Sequence, residues 1–453
     1  MARGFEPVGV AITRFTGDCA VRTVPLFGAL VIAARVVSAT AAPAPDSGSV
    51  ALRCGALIDG VSASAVGPAV VVIERGRITA VGPDADAPDG VRVIDLAGYT
   101  CLPGLIDMHT HLTMTPEESV DLSENYRRTP EQQAAISREH ARRALLAGFT
   151  TVRDVGSYAA WADRAIRDEI DRGETPGPRM QVAGIYLTIP GGGGDLVIPG
   201  HPESEIPARL RMGIARGPEQ FRQKAELAVA GGADLLKVIA SGAVFSYGGI
   251  PGDPEMTPEE IVAVAEVAHR HGLKLVAHAH GARSIREAIL AGADTIEHAS
   301  LIDAETIELA RQHRVALSMD VYNGDYTATE GRRQGYPEEF LRKNTETTEA
   351  QRRGFTAAHA AGVPIVYGTD ACIYPHGLNA RQFPIMVERG MTSMEAIQSA
   401  TSVAARFMGW SDRVGSIAPG RYGDVIAVKG DPLHDIRRLQ DVALVVKGGV
   451  VVR

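Results

Sequence analysis

Residues 104–112 read GLIDMHTHL: a glycine, a short apolar run, then two histidines one residue apart. Side chains on a β-strand alternate between faces, so His109 and His111 point the same way. Two imidazoles on one face at the end of a buried strand have the form of a metal chelate. The plain alternative is a pair of polar residues where a strand leaves the core. The choice turns on whether other strands end in the same way.

Seven further runs in the central chain have the length and apolarity of buried strands: TTVRDVG, RMQVAGI, ADLLKVIAS, KLVAHAH, DTIEHAS, VALSMD and PIVYGTDA. Helical stretches lie between them, such as PEQQAAISREHARRALLAG, TPEEIVAVAEVAHRHG and GARSIREAILAGA. Thr-Pro-Glu-Glu at 257–260 is a helix start, and Gly272 and Gly292 are helix stops. Eight strands alternating with helices predict an α/β fold, a (β/α)8 TIM barrel, whose chemistry sits at the C-terminal ends of its strands. Those ends carry His109 and His111, Lys237, His278 and His280, His298, and Asp370. Any one of them has an ordinary explanation, such as a satisfied core histidine or a snorkelling lysine. Together they converge on one mouth of the barrel.

Lys237 differs from its neighbours. A buried ammonium is costly, so its pKa falls and a neutral amine becomes accessible. That amine can add carbon dioxide to form a carbamate, an anion with two oxygens able to bridge two metal ions. A Schiff-base lysine is the competing reading, and the metal-type neighbours disfavour it.

The barrel is flanked by short β-like runs. ALRCGALIDG, AVVVIERGRITAVG and VRVIDLAG precede it, and GDVIAVKGD and VALVVKGGVVVR follow it. They predict one small β-sandwich built from both flanks. The expected organisation is an export signal or extension with linker over 1–49, sandwich over 50–103, barrel over 104–410 and sandwich again over 411–453. The signal expectation rests on Arg14 and Arg22 ahead of VPLFGALVIAARVVSATAAPAP, with small residues at Ala39, Thr40 and Ala41. It predicts a periplasmic or secreted protein with no membrane attachment after processing. Arg35 interrupts the apolar stretch, which leaves a cytoplasmic protein with an extension as the alternative.

The 453 residues carry a formal net charge of −8 and no long basic run, which argues against nucleic-acid and anionic-membrane partners. The four cysteines, Cys19, Cys54, Cys101 and Cys372, form no CxxC, so a cysteine zinc site is disfavoured. Nothing in their spacing selects a Cys54–Cys101 bridge.

PGLID-x-H-x-H, the strand-four lysine, the histidines of strands five and six, and GTDA together resemble the amidohydrolase superfamily. SMEAIQSATSVAARFMG and VGSIAPGRYGDVIAV add to the resemblance, which covers about residues 50–453. Within it, the intervals from Lys237 to His278, His298 and Asp370 resemble prolidase-like and ochratoxinase-like amidohydrolases, related to imidazolonepropionase.

The resemblance implies two divalent ions, with zinc expected, although the same ligands accept Mn or Co. It implies one ion on His109, His111 and Asp370, a second on His278 and His298, and a carboxylated Lys237 and a hydroxide bridging them. That hydroxide would attack an amide or peptide bond to a C-terminal amino acid, with Asp370 moving the proton. The substrate would be an Xaa-Pro dipeptide, an N-acyl amino acid or an ochratoxin-like amide, and the protein a homo-oligomer. His280 would touch substrate, where it is placed to meet a carboxylate.

A cyclic-amide hydrolase of the imidazolonepropionase or dihydropyrimidinase kind is the main alternative, and an exported binding protein without metal a lesser one. A deaminase fits poorly, because HAHGARS lacks the glutamate that such enzymes place near the strand-five histidine. One departure stands out: PGGGGDL has Gly193 where related enzymes often carry a histidine. His201 and Tyr247 are the candidates to replace it as substrate contacts.

Overall fold

A computed structural model describes residues 49–453. The expected export signal lies outside them. Among the described residues no helix is long and apolar enough to cross a membrane.

The two flanks meet in one seven-stranded sheet. Its spatial order is Val450–Val451, Val442–Lys447, Val425–Lys429, Arg92–Pro103, Val50–Leu57, Ala69–Glu74 and Arg77–Gly82. Val425–Lys429 joins the halves by pairing antiparallel with Arg92–Pro103. Strand alternation divides its residues between two cores. Val425 and Ala427 pack into a small cluster with Leu52, Val71 and Ile73. Ile426 and Val428 face the large central core instead.

Cys54 and Cys101 form a disulfide across 47 residues. Their neighbouring strands pair in parallel, with a register shift between Cys54 and Ala56. This pairing brings the two cysteines together, a contact that linear spacing did not select.

The central strands pair in parallel throughout. Leu105–Thr110, Phe149–Asp154 and Arg179–Val182 form one sheet. Tyr186–Leu187, Leu235–Ile239, Lys274–Gly281, Thr295–Leu301, Ala316–Ser318 and Ile365–Val366 form a second. A parallel bridge from Thr110 to Ala371 and a 2.7 Å bond from the Met108 N–H to the Tyr367 carbonyl link the first and last strands.

Capping boxes at Thr129 and Thr257 start the helices Pro130–Leu146 and Pro258–Arg270, each with proline in its first turn. The helix Glu338–Ala360 enters between the last two strands. Its Asn344, Thr347, Thr348 and Gln351, spaced about one turn apart, line the central cavity.

Candidate metal centre

The cavity at the strand ends gathers His109, His111, Lys237, His278, His280, His298 and Asp370 in one wall. All seven side chains are buried. Nε2 of His109 and Nε2 of His111 stand 3.4 and 3.3 Å from Oδ1 of Asp370. Ligand atoms of His109, His298 and Asp370 lie within 4.8 Å of one another, as do those of His278, His280 and His298. His298 belongs to both groups.

Period-two alternation accounts for His109 with His111 and for His278 with His280. It does not account for Glu297 and His298, which are adjacent and both turned inward. The backbone supplies the reason: His298 and Ala299 take φ of 67° and 49°, the left-handed region that side chains disfavour. Asp370 is also left-handed, with φ of 55°. Such strain concentrates where a site over-determines its ligands.

Partners of the ring nitrogens orient the histidines. Nδ1 of His109 donates to Glu297 at 2.7 Å, and Nδ1 of His111 donates to the Gly156 carbonyl at 2.9 Å. Nδ1 of His298 donates to Asp320 at 2.9 Å. With Nδ1 carrying the proton in all three, Nε2 presents its lone pair to the cavity. Tyr186 braces the second of them, its hydroxyl 3.0 Å from His111 Nδ1. Glu297 is itself held by Arg153 at 2.8 Å. Asn323 donates to both Asp320, at 3.1 Å, and Asp370, at 3.3 Å. Asp107 ties the first strand to the last through Thr369 at 2.6 Å and Asn379 at 2.8 Å.

The electrostatics follow from burial and these partners. Burial, with Lys237 nearby, lowers His109 to about 4. Burial and the neighbouring His298 hold His278 and His280 well below the usual imidazole value. Burial pulls His298 down too, but Asp320 and Asp370 outweigh it and leave its pKa raised. His280 places Nδ1 on Ser300 at 2.8 Å and stacks its ring on His298.

Lys237 is the test of the inferred cofactor. Burial, the largest influence, lowers its amine to about 8. Its Nζ has no hydrogen-bond partner among the described residues. An unpaired buried amine amid imidazoles and carboxylates fits a carbamate and a pair of divalent ions.

The remaining sequence candidates lie elsewhere. His201 is largely exposed and pairs with Glu205 at 3.3 Å. Tyr247 packs on Phe340, with ring centroids 4.9 Å apart. Neither lines the cavity. At Gly193 a Cβ would come within 2.9 Å of Ala243 Cβ, so the loop after strand four fills the place of a side chain.

Sequence reasoning passed over Glu297, Asp320, Arg153, Asn323 and Gln351. Two had visible signals: VALSMD ends in Asp320, and TIEHAS holds Glu297 beside His298.

The Amidohydrolase family model matches residues 100–452, and the chain belongs to that family. It is a hydrolase acting on carbon–nitrogen bonds of small-molecule amides, with a TIM-barrel-like fold. The chain is 30% identical to ochratoxinase of Aspergillus niger over 403 residues, covering 84% of this chain and 82% of the relative. It is 25% identical to imidazolonepropionase of Stenotrophomonas maltophilia over 402 residues, covering 80% and 86%. A Xaa-Pro dipeptidase solved with methionine in its active site superposes with a TM-score of 0.83 at 32% identity, covering 89% of this chain and 99% of the other.

Proposed function

We propose that this protein is a binuclear metal amidohydrolase that cleaves the amide or peptide bond to a C-terminal amino acid. The observation that carries the reading is the unpaired Lys237 amine, wholly buried among imidazoles and carboxylates. The relatives named ochratoxinase and Xaa-Pro dipeptidase support the substrate class.

His109, His111 and Asp370 would hold one ion, His278 and His298 the second, and carboxylated Lys237 would bridge them. Two divalent ions, zinc by expectation, would supply Lewis-acid polarisation of the scissile carbonyl and a water acidified toward neutrality. Asp370 takes the proton of the attacking water and delivers it to the leaving nitrogen, so the products are a carboxylic acid and a free amine. Asn323, bonded to Asp370, keeps that carboxylate aimed while the proton moves. His280 faces substrate through its remaining ring nitrogen.

The architecture in this reading is a closed eight-stranded barrel over 104–410 with a β-sandwich from 50–103 and 411–453. The chain works as a homo-oligomer after export. A disulfide between Cys54 and Cys101 supports export, because such bonds persist in oxidising compartments.

A cyclic-amide hydrolase is the second reading, favoured by the similarity to imidazolonepropionase. One panel separates the two. Metal-loaded protein is assayed on N-acetyl-L-phenylalanine and Ala-Pro, on the C-terminal amides of both, and on hydantoin and dihydrouracil. The proposed function expects the free acids to lead by at least about tenfold in kcat/KM, roughly 1.4 kcal/mol. Faster opening of the cyclic compounds would replace it with the second reading.

A further inference from the structure

Nearly every polar side chain in the cavity wall is committed to a partner inside the protein. Asn344 donates to the Gly324 carbonyl at 3.1 Å. Thr347 and Thr348 donate back to helix carbonyls at 2.9 and 2.6 Å. Gln351 donates to Asp320 at 2.8 Å, and Ser300 is taken by His280. Apart from the Cys372 thiol, two wall side chains make no hydrogen bond among the described residues: the buried Lys237 amine and the half-buried Tyr158 phenol. The amine is accounted for by the metal centre. The phenol is not.

Tyr158 follows the second central strand, in the run DVGSYAA. Its ring stands edge-on to Tyr186, with centroids 5.1 Å apart, and packs among apolar neighbours that include Phe340 and Leu196. It is thereby fixed in the wall while its hydroxyl remains unspent. Burial, with Glu118, Asp195 and Asp370 near, raises its pKa, so it stays a donor. Tyr158 also borders Gly194 of the third-strand loop, where Gly193 has no room for a side chain.

The charge of the wall sharpens the point. No arginine lines the cavity, and Lys237 is its only lysine among the described residues. His280, the sequence candidate for a carboxylate contact, already spends its Nδ1 on Ser300 at 2.8 Å. A phenolic O–H makes a short, charge-assisted bond to a carboxylate oxygen.

We infer that Tyr158 recognises the free carboxylate of the substrate's C-terminal amino acid by donating its phenolic hydrogen to it. The inference rests on the function proposed above and names the residue that sets its preference for free acids. Removing the hydroxyl takes away one charge-assisted hydrogen bond and leaves the ring packing in place.

The test is Tyr158→Phe, which keeps the ring. Kinetics are measured on Ala-Pro and on its C-terminal amide, and calorimetry follows binding of L-proline and L-prolinamide to the metal-loaded protein. The wild type is expected to favour the acid of each pair. In the variant, KM for Ala-Pro and the Kd for L-proline should each rise about tenfold while kcat moves much less, collapsing the acid-over-amide preference. Metal content and Tm check that the variant is folded and loaded. If the wild type prefers the acid and the variant keeps that preference, the role of Tyr158 is overturned while the proposed function stands. If the wild type shows no acid preference in either measurement, the proposed function falls and this inference with it.

Discussion

Nδ1 of His109 and Oε2 of Glu297 lie 2.7 Å apart, a contact between residues separated by 188 positions. Glu297 also holds the buried Arg153, so one carboxylate orients a metal-type histidine and neutralises a guanidinium. Burial opposes its charge, but Arg153 and His109 keep its pKa well below the ordinary value. Glu297→Gln retains the shape and removes the charge. Metal affinity should fall about 10- to 100-fold. Apo-protein stability should fall by about 3 kcal/mol, because Arg153 is left uncompensated. Competition titration with a chelator and thermal unfolding read the two effects. No change in metal affinity would mean that Glu297 does not orient His109.

Lys237→Ala removes the unpaired amine. The variant should bind fewer than two metals per chain, and wild-type protein supplied with 13C-labelled carbon dioxide should show a carbamate resonance that the variant lacks. Acetate or propionate should partly restore the second metal by bridging in its place. A variant with two metals and full turnover would end the carbamate assignment.

Asp370→Asn should lower kcat by several powers of ten, since it removes a proton acceptor and a ligand charge together. A loss below about tenfold would move the proton-transfer role to another group. Metal content measured on the same preparation separates lost chemistry from lost metal.

The Cys54–Cys101 bridge closes a separation of 47 residues. Loop-closure arguments assign such a bridge about 4 kcal/mol. Thermal unfolding with and without reductant should differ accordingly. Thiol titration of the denatured residues 49–453 should find one free group, that of Cys372, before reduction. Three thiols without reductant would remove the bridge.

Glu255 accepts the Gly193 N–H at 2.8 Å, and burial raises its carboxyl from 4.5 to about 7. Between those values the native state keeps a proton that the unfolded chain has lost. Its contribution to stability is therefore complete below about 4.5, falls as pH rises toward about 7 and levels off above. Glu255→Gln, neutral throughout, should match the wild type at pH 4.5 and exceed it at pH 8 by an amount on the order of 3 kcal/mol. Unfolding curves at the two pH values decide it, and a difference independent of pH would count against a buried, titrating Glu255.

Local periodicity carried much of this protein. Alternation along a strand sets the faces of His109 with His111 and of His278 with His280, and turn residues and capping boxes set where helices start. These are properties of a few consecutive residues, so the order of strands and helices and the seven converging side chains could be read from the chain. Contacts across strands could not. Glu297 meets His109, Asn323 spans Asp320 and Asp370, and Cys54 finds Cys101 only because particular registers bring distant segments together. The left-handed backbone at His298 breaks the alternation that would have sent Glu297 and His298 to opposite faces. Tyr158 shows the same limit from the other side. Nothing near it in sequence marks its hydroxyl as unspent; that follows only once the whole cavity wall has assembled and its neighbours have taken their partners, because whether a polar group is satisfied depends on all the groups within reach and not on its place in the chain.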